Sequence, residues 1–87
     1  MNQNADVNID IGLAIRKKMS EHGTTVAWLA QQINYDRSNL SKLLHCTHIY
    51  PELLIKISIA LKANFFVYYT HYVQKILDME QENTFVG

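Results

Sequence analysis

Two short helical patterns, separated by only a few residues within residues 25–44, constrain the fold of this chain more than any other feature. In the first pattern Leu29, Ala30 and Ile33 lie on one face, and the small side chain of Ala30 allows a second helix to approach closely. Asn34, which follows, tolerates the left-handed backbone conformation that a sharp turn between helices requires. The segment therefore predicts two helices held at a fixed crossing.

The second pattern combines a helix start with two unlike faces. Asp36 is a good N-cap, and Leu40, Leu43 and Leu44 fall on the inward side of the helix that follows. The outward side carries Arg37, Ser38, Ser41 and Lys42. A helix that buries leucines on one side and presents hydrogen-bonding side chains on the other has the properties required to read bases in the major groove of DNA.

Elsewhere the chain also predicts helices, and no strand pattern is evident. Gly23 ends the first helix, and Pro51 suits the first turn of the fourth. The predicted helices cover residues 9–22, 26–32, 37–45, 51–62 and about 64–81. The side chains predicted to face inward on the first and fourth helices are Ile11, Ile15, Met19, Leu53, Leu54, Ile57 and Leu61.

Residues 15–66 resemble the Cro/repressor-type (XRE-type) helix-turn-helix family. The resemblance rests on the spacing of Ile15, Gly23, Thr25, the Leu29-Ala30 pair, Asn34, Leu40, Leu43 and Pro51. It implies an all-α, five-helix, lambda-repressor-like DNA-binding domain with the helix-turn-helix at helices two and three, here with an extended C-terminal helix. It also implies sequence-specific binding to double-stranded DNA.

The family's DNA contacts can be carried over residue by residue. The resemblance implies contacts to bases or phosphates from Thr25, Arg37, Ser38, Asn39, Ser41, Lys42 and His45. Two positions depart from the family pattern. Val26 stands where Gln is common, and His45-Cys46 stands where the family often has Asn-Gly. The contacts made at these two places must therefore differ.

A third departure lies in the predicted core. Many family members carry a buried ion pair between an Arg four residues before the glycine and a Glu at the end of helix three. This chain has Met19 and Leu44 at those positions. Replacing both charges together leaves neither unpaired, so the double change fits the same fold.

At first sight the formal net charge of zero argues against binding to nucleic acid, because contacts to phosphates supply much of the affinity for DNA. The distribution of charge changes that conclusion. Five of the eight acids lie near the ends, at Asp6, Asp10, Asp78, Glu80 and Glu82. Between residues 11 and 77, eight lysines and arginines stand against three acids, a net charge of +5. The folded body is therefore basic.

Eighty-seven residues with 48% hydrophobic content predict one domain with a small core. We divide the chain into a mobile leader (1–8), the helix-turn-helix domain (9–81) and a flexible tail (82–87). The sequence has neither a signal peptide nor a run of roughly 18 apolar residues, so we expect a cytoplasmic protein without membrane contact. The single cysteine, Cys46, agrees with a reducing compartment.

Chemistry beyond binding has no support in the sequence. His45, Cys46 and His48 form one close group, but a structural zinc site normally needs a second pair of ligands. No nucleophile elbow, phosphate loop or paired-carboxylate arrangement is present. We therefore expect no metal, no cofactor and no enzymatic activity.

The C-terminal helix carries a second informative pattern. Its apolar side chains fall within an arc about 160° wide, which is more than a small domain of this family needs to close its core. Either the extra length folds back on its own domain, or it packs against a second copy. We favour a homodimer through Tyr69, Tyr72, Val73 and Ile76, with Phe65 in the domain's own core.

Two functions follow from these patterns. The first is a small transcriptional regulator, repressor-like, that acts as a dimer on a two-fold operator. The alternative is a protein-interaction module or antitoxin-type partner that uses the aromatic C-terminal helix. The basic body and residues 37–42 favour DNA, whereas Val26 and a leader without Lys or Arg favour the protein partner.

Overall fold

The computed structural model describes the backbone of residues 9–86 and the side chains of residues 9–80. Over this range the chain forms helices and turns only, which confirms the predicted all-α, five-helix fold. The helices are α1 (Ile11–His22), α2 (Val26–Gln32), α3 (Arg37–Leu43), α4 (Pro51–Leu61) and α5 (Val67–Val86). The predicted leader lies outside the described residues, and the division between domain and tail at residue 81 stays a prediction.

Side-chain caps fix where the first three helices begin. The Asp10 carboxylate accepts a hydrogen bond from the Leu13 amide at 3.1 Å, so α1 starts at Ile11 and not at the predicted residue 9. The Thr25 hydroxyl accepts from the Trp28 amide at 3.1 Å, and the Asp36 carboxylate accepts from the Asn39 amide at 2.8 Å. The sequence predicted Asp36 as an N-cap.

The helix ends show two differences from the prediction. Gly23 closes α1 with φ of 70°, as predicted. Helix α3 ends at Leu43 and not at residue 45, because the His45 and Cys46 amides bond to carbonyls only three residues back, which tightens the last turn. Helix α4 ends at Leu61, where Lys62 adopts a left-handed conformation with φ of 55°.

Helix α5 starts later and ends later than predicted. The Asn64 side chain accepts from the Phe66 amide at 3.0 Å, so it caps a turn and the helix begins only at Val67. The helix then continues to Val86, past the predicted end near residue 81. Its length of about 30 Å accounts for much of the 53 Å long axis of a molecule that is 23 × 20 Å in cross-section. The outer part of α5 therefore projects from the body.

The hydrophobic core lies between α1, α2, α3 and α4 and is closed by Phe65. Among residues 9–80, every buried side chain had been predicted except Ile49, which lies in the loop after α3, where no helical period marks an inward-facing position. Leu43, predicted to face inward, is half-buried and packs against the core. Buried are Ile11, Ile15, Met19, Leu29, Ala30, Ile33, Leu40, Leu44, Ile49, Leu53, Leu54, Ile57, Leu61 and Phe65.

Candidate nucleic-acid interface

The turn between α2 and α3 has the tight geometry that its sequence predicts. Asn34 adopts a left-handed conformation with φ of 55°, and the Tyr35 amide donates to the Ala30 carbonyl at 2.9 Å across the turn. Leu29, Ala30 and Leu40 are buried where the two helices pack. The orientation of α3 is therefore set by the core and not by the polar residues on its outer face.

Five of the predicted contact residues lie together on the outer face of α3, and all five are exposed: Arg37, Ser38, Asn39, Ser41 and Lys42. Within the described part of the chain, the Arg37 and Lys42 side chains have no hydrogen bond or ion pair. Two positive charges and several hydrogen-bonding groups are thus available on one short helix. This is the arrangement that contacts to bases and phosphates require.

The other two predicted residues, Thr25 and His45, are exposed at the opposite end of α3. A depression of about 320 Å³ brings them together with Ser41 and with Arg16 of α1. Three of the predicted contact residues therefore share one surface feature. Val26 also lines the depression and packs against the core, but its aliphatic side chain adds no polar group there.

Arg16 is a residue of this site that the sequence analysis missed. Its Nε donates to the carbonyl of Leu44, the C-cap residue of α3, at 2.9 Å. A cation at this place also interacts favourably with the negative end of the helix. Arg16 thus joins α1 to the end of α3, and only the folded chain brings positions 28 residues apart into contact.

Gly12, one turn before Arg16, was missed for the same reason. A Cβ atom at this position would lie 2.6 Å from the Cys46 carbonyl oxygen and closer still to that of Leu44. No side chain fits there, so α1 approaches the backbone after α3 directly. Gly12 and Arg16 together fix the start of the loop that carries His45.

Met19 and Leu44 are both buried, at 5% and 1% exposure, and both border the depression beside Thr25. The structure therefore places two apolar side chains where the resemblance implies an ion pair. Neither side chain leaves a buried charge to be compensated.

Two tyrosines lie beside the start of α3. Burial raises the pKa of the Tyr35 hydroxyl, and neighbouring Tyr50 and Asp36 raise the pKa further. Tyr50 is 52% exposed and precedes α4, so this pair connects the turn before α3 with the end of the following loop. No short-range pattern in the sequence relates the two residues.

The residues predicted to form a dimer interface lie on α5 in unequal environments. Tyr69 packs against the core of its own chain. Tyr72 and Ile76 are half-buried, and Val73 is 53% exposed. Among the described residues, Tyr69 is the last along the chain that packs on the core.

Comparison with known proteins identifies the class to which this arrangement belongs. A family model described as Cro/C1-type HTH DNA-binding domain matches residues 14–65. The chain belongs to the Cro/C1-type helix-turn-helix family of DNA-binding domains, as the sequence pattern predicted. No curated protein and no solved structure matches it.

The matched segment ends at Phe65, so α5 lies beyond it. None of the helices in the described range is long and apolar enough to cross a membrane.

Proposed function

We propose that this chain is a small, sequence-specific transcriptional regulator that binds a two-fold DNA operator as a dimer. The observation that carries the proposal is the outer face of α3, where Arg37 and Lys42 are exposed and have no partner in the described part of the chain. The core fixes the helix behind them, so the backbone positions that carry these side chains are set before DNA binds.

The residues divide into two proposed roles. Arg37 and Ser38, on the first turn of α3, contact base edges, with Arg37 paired to guanine O6 and N7. Thr25, Arg16 and His45 border the depression at the other end and contact the backbone phosphates. Ser41 also borders this depression, and Asn39 and Lys42 lie between the two groups.

The test begins with selection of bound sequences from a pool of random duplexes. Arg37→Ala should then weaken binding to the selected operator by about 1–3 kcal/mol and relax discrimination at one base position. Lys56→Ala is the matched control, because Lys56 is an exposed lysine of α4 that borders no part of the interface. Equal losses on operator and random duplexes would reassign Arg37 to a phosphate.

The dimer rests on α5, whose outer part carries exposed apolar side chains beyond the reach of its own core. Val73, Leu77 and Met79 are each about half exposed, at 53%, 50% and 53%. An apolar face of this kind is typical of an interaction surface. The double variant Val73→Glu, Ile76→Glu should be monomeric by sedimentation, keep its helical content and bind a single half-site as the unaltered protein does.

A protein-interaction module or antitoxin-type partner is the second candidate. It is favoured by a groove of about 470 Å³ beside α5 that borders two tyrosines, Tyr68 and Tyr72. The selection experiment separates the two, because a pure interaction module would enrich no DNA sequence.

A further inference from the structure

The depression of about 320 Å³ beside Thr25 joins α1, the start of α2 and the end of α3. We call it the α1/α3 depression; its polar lining is Arg16, Ser20, Thr24, Thr25, Ser41 and His45. Among the described residues, no carboxylate lines it. A cation and several hydroxyl groups without an acid form a surface that suits an anion.

Arg16 supplies the fixed positive charge of this depression. Its side chain is half-buried, and Nε donates to the Leu44 carbonyl at 2.9 Å. A guanidinium has five N–H donors, and this bond uses one of them. Within the described part of the chain, the two Nη groups make no hydrogen bond. The charge of Arg16 is therefore held beside the residue that precedes His45, and its remaining donors are available to a phosphate.

The backbone at His45 is fixed from two sides. Its amide donates to the Lys42 carbonyl at 3.1 Å, in the tight turn that ends α3. The carbonyl groups of the residues before and after it lie so close to Gly12 that a Cβ atom there would overlap both. Because Gly12 and Arg16 are one turn apart on α1, the same helix sets the position of the His45 backbone relative to the Arg16 guanidinium.

The charged side chains that accompany His45 are positive. Arg16 shares the depression with it, and Lys42 lies three residues before it on α3. The residues of α2 that line the depression are uncharged. On the loop itself, the exposed thiol of Cys46 donates to the Lys42 carbonyl at 3.5 Å. In the free chain these cations disfavour a charge on the His45 imidazole, and a phosphate bound in the depression favours it.

We infer that the α1/α3 depression holds one DNA phosphate between Arg16 and a protonated His45, so that DNA binding takes up a proton. The inference rests on the DNA binding proposed above and adds to it a dependence on pH. A neutral imidazole offers a phosphate one uncharged N–H donor, whereas a protonated one offers a charge-assisted hydrogen bond. Histidine is ordinarily protonated below about pH 6.5, so this contact strengthens just below neutral pH.

The same site compensates for the departure at position 26. Val26 lines the depression with an aliphatic side chain, where the resemblance implies a Gln that contacts a phosphate. Arg16 and His45 supply, from α1 and from the loop after α3, the polar groups that this position lacks.

Binding to a duplex of random sequence tests the inference, because a phosphate contact requires neither an operator nor a dimer. Between pH 6 and pH 8 the affinity should fall about fivefold, the difference expected when one hydrogen bond loses its charge. The slope of log K against log salt concentration should be steeper at pH 6 by about 0.9 per bound chain, the share of one phosphate contact. His45→Gln should remove both differences.

His48→Gln is the matched control, because His48 is an exposed histidine of the same loop that does not line the depression. This variant should keep both differences. Arg16→Gln should lower the salt slope by about 0.9 at both pH values, because a guanidinium is charged at both. Circular dichroism at pH 6 and pH 8 checks that every variant is folded.

The results that would overturn the inference can be told apart from failure of the proposed function. Equal affinity at pH 6 and pH 8 would overturn the inference and leave the proposed DNA binding standing. A pH dependence that His48→Gln removes and His45→Gln keeps would also overturn it, because the proton would then bind elsewhere. A chain that binds no duplex at either pH would remove the proposed function itself, and selection from random duplexes would then enrich no sequence.

Discussion

Ile57 of α4 and Leu77 of α5 are aliphatic side chains of similar size on helices of the same chain, yet Ile57 is fully buried and Leu77 is 50% exposed. The apolar face of α4 meets α1, α2 and α3, which are all present in the same chain. The outer part of α5 extends past the last side chain that packs on the core, Tyr69, among those described. The family match likewise ends before α5 begins.

The comparison shows what helical periodicity can and cannot tell. An apolar stripe predicts that a helix face will be covered, but it does not say by which chain. The apolar face of α4 is covered by the rest of its own domain. For the apolar face of α5 we propose that a second copy of the chain covers it.

The largest effect is expected in the body, from Met19→Arg. A guanidinium placed beside buried Leu44 would lack a carboxylate, so the variant should lose about 3–5 kcal/mol of unfolding free energy. Adding Leu44→Glu should recover much of that loss. Thermal melts of both single variants and of the double variant measure it, and additive losses would show that the two positions do not interact.

The second prediction compares one buried and one exposed position directly. Ile57→Ala should cost about 2–5 kcal/mol, because it leaves a cavity in a closed core. Leu77→Ala should change the stability of the monomer by no more than about 0.5 kcal/mol. Urea unfolding at a protein concentration low enough to keep the chain monomeric measures both. A large loss for Leu77→Ala would mean that α5 completes the core of its own domain.

The third prediction concerns the direct contact between α1 and the loop after α3. Gly12→Ala should cost about 1–3 kcal/mol, because the added methyl group overlaps the Leu44 and Cys46 carbonyl oxygens and the backbone must shift. Gly23→Ala is the comparison, since nothing lies within 4 Å of its Cβ position and its cost comes from a φ of 70° alone.

Replacement by Asn separates these two causes. Asn tolerates the left-handed conformation and should recover stability at position 23 but not at position 12. A Gly12→Ala variant as stable as the unaltered chain would show that α1 does not hold the end of α3 as the structure places it.

The residues changed in these variants also show which features of the fold can be predicted from the sequence alone. Asp36, Thr25 and Asn34 were predictable because a cap or a turn depends on neighbours within a few residues. The apolar face of each helix was predictable from its period, as was the exposed face of α3.

The residues that were missed depend on contacts distant in sequence. Gly12 and Arg16 acquire their roles only when α1 meets the end of α3. Ile49 is buried although it lies in a loop, where no helical period marks an inward-facing residue. Tyr35 interacts with Tyr50, although the whole of α3 separates the two residues in the sequence. The environment of α5 was left open because it depends on which chain covers that helix.

The smallest effect is expected at Tyr69, where the body meets the base of α5. Burial raises the pKa of its hydroxyl above the value of about 10 in an unfolded chain. The unfolded chain therefore releases this proton first, and the stability that the neutral hydroxyl contributes is present below pH 10 and lost as pH rises through the folded-state pKa. Tyr69→Phe should lose less unfolding free energy between pH 8 and pH 10.5 than the unaltered chain does, as measured by urea unfolding. Tyr35→Phe, a change in the α1–α4 body, should also reduce the loss of unfolding free energy over this pH range, since the pKa of Tyr35 is raised as well. An unchanged pH dependence in Tyr69→Phe would mean that the base of α5 is as open to water as its outer half.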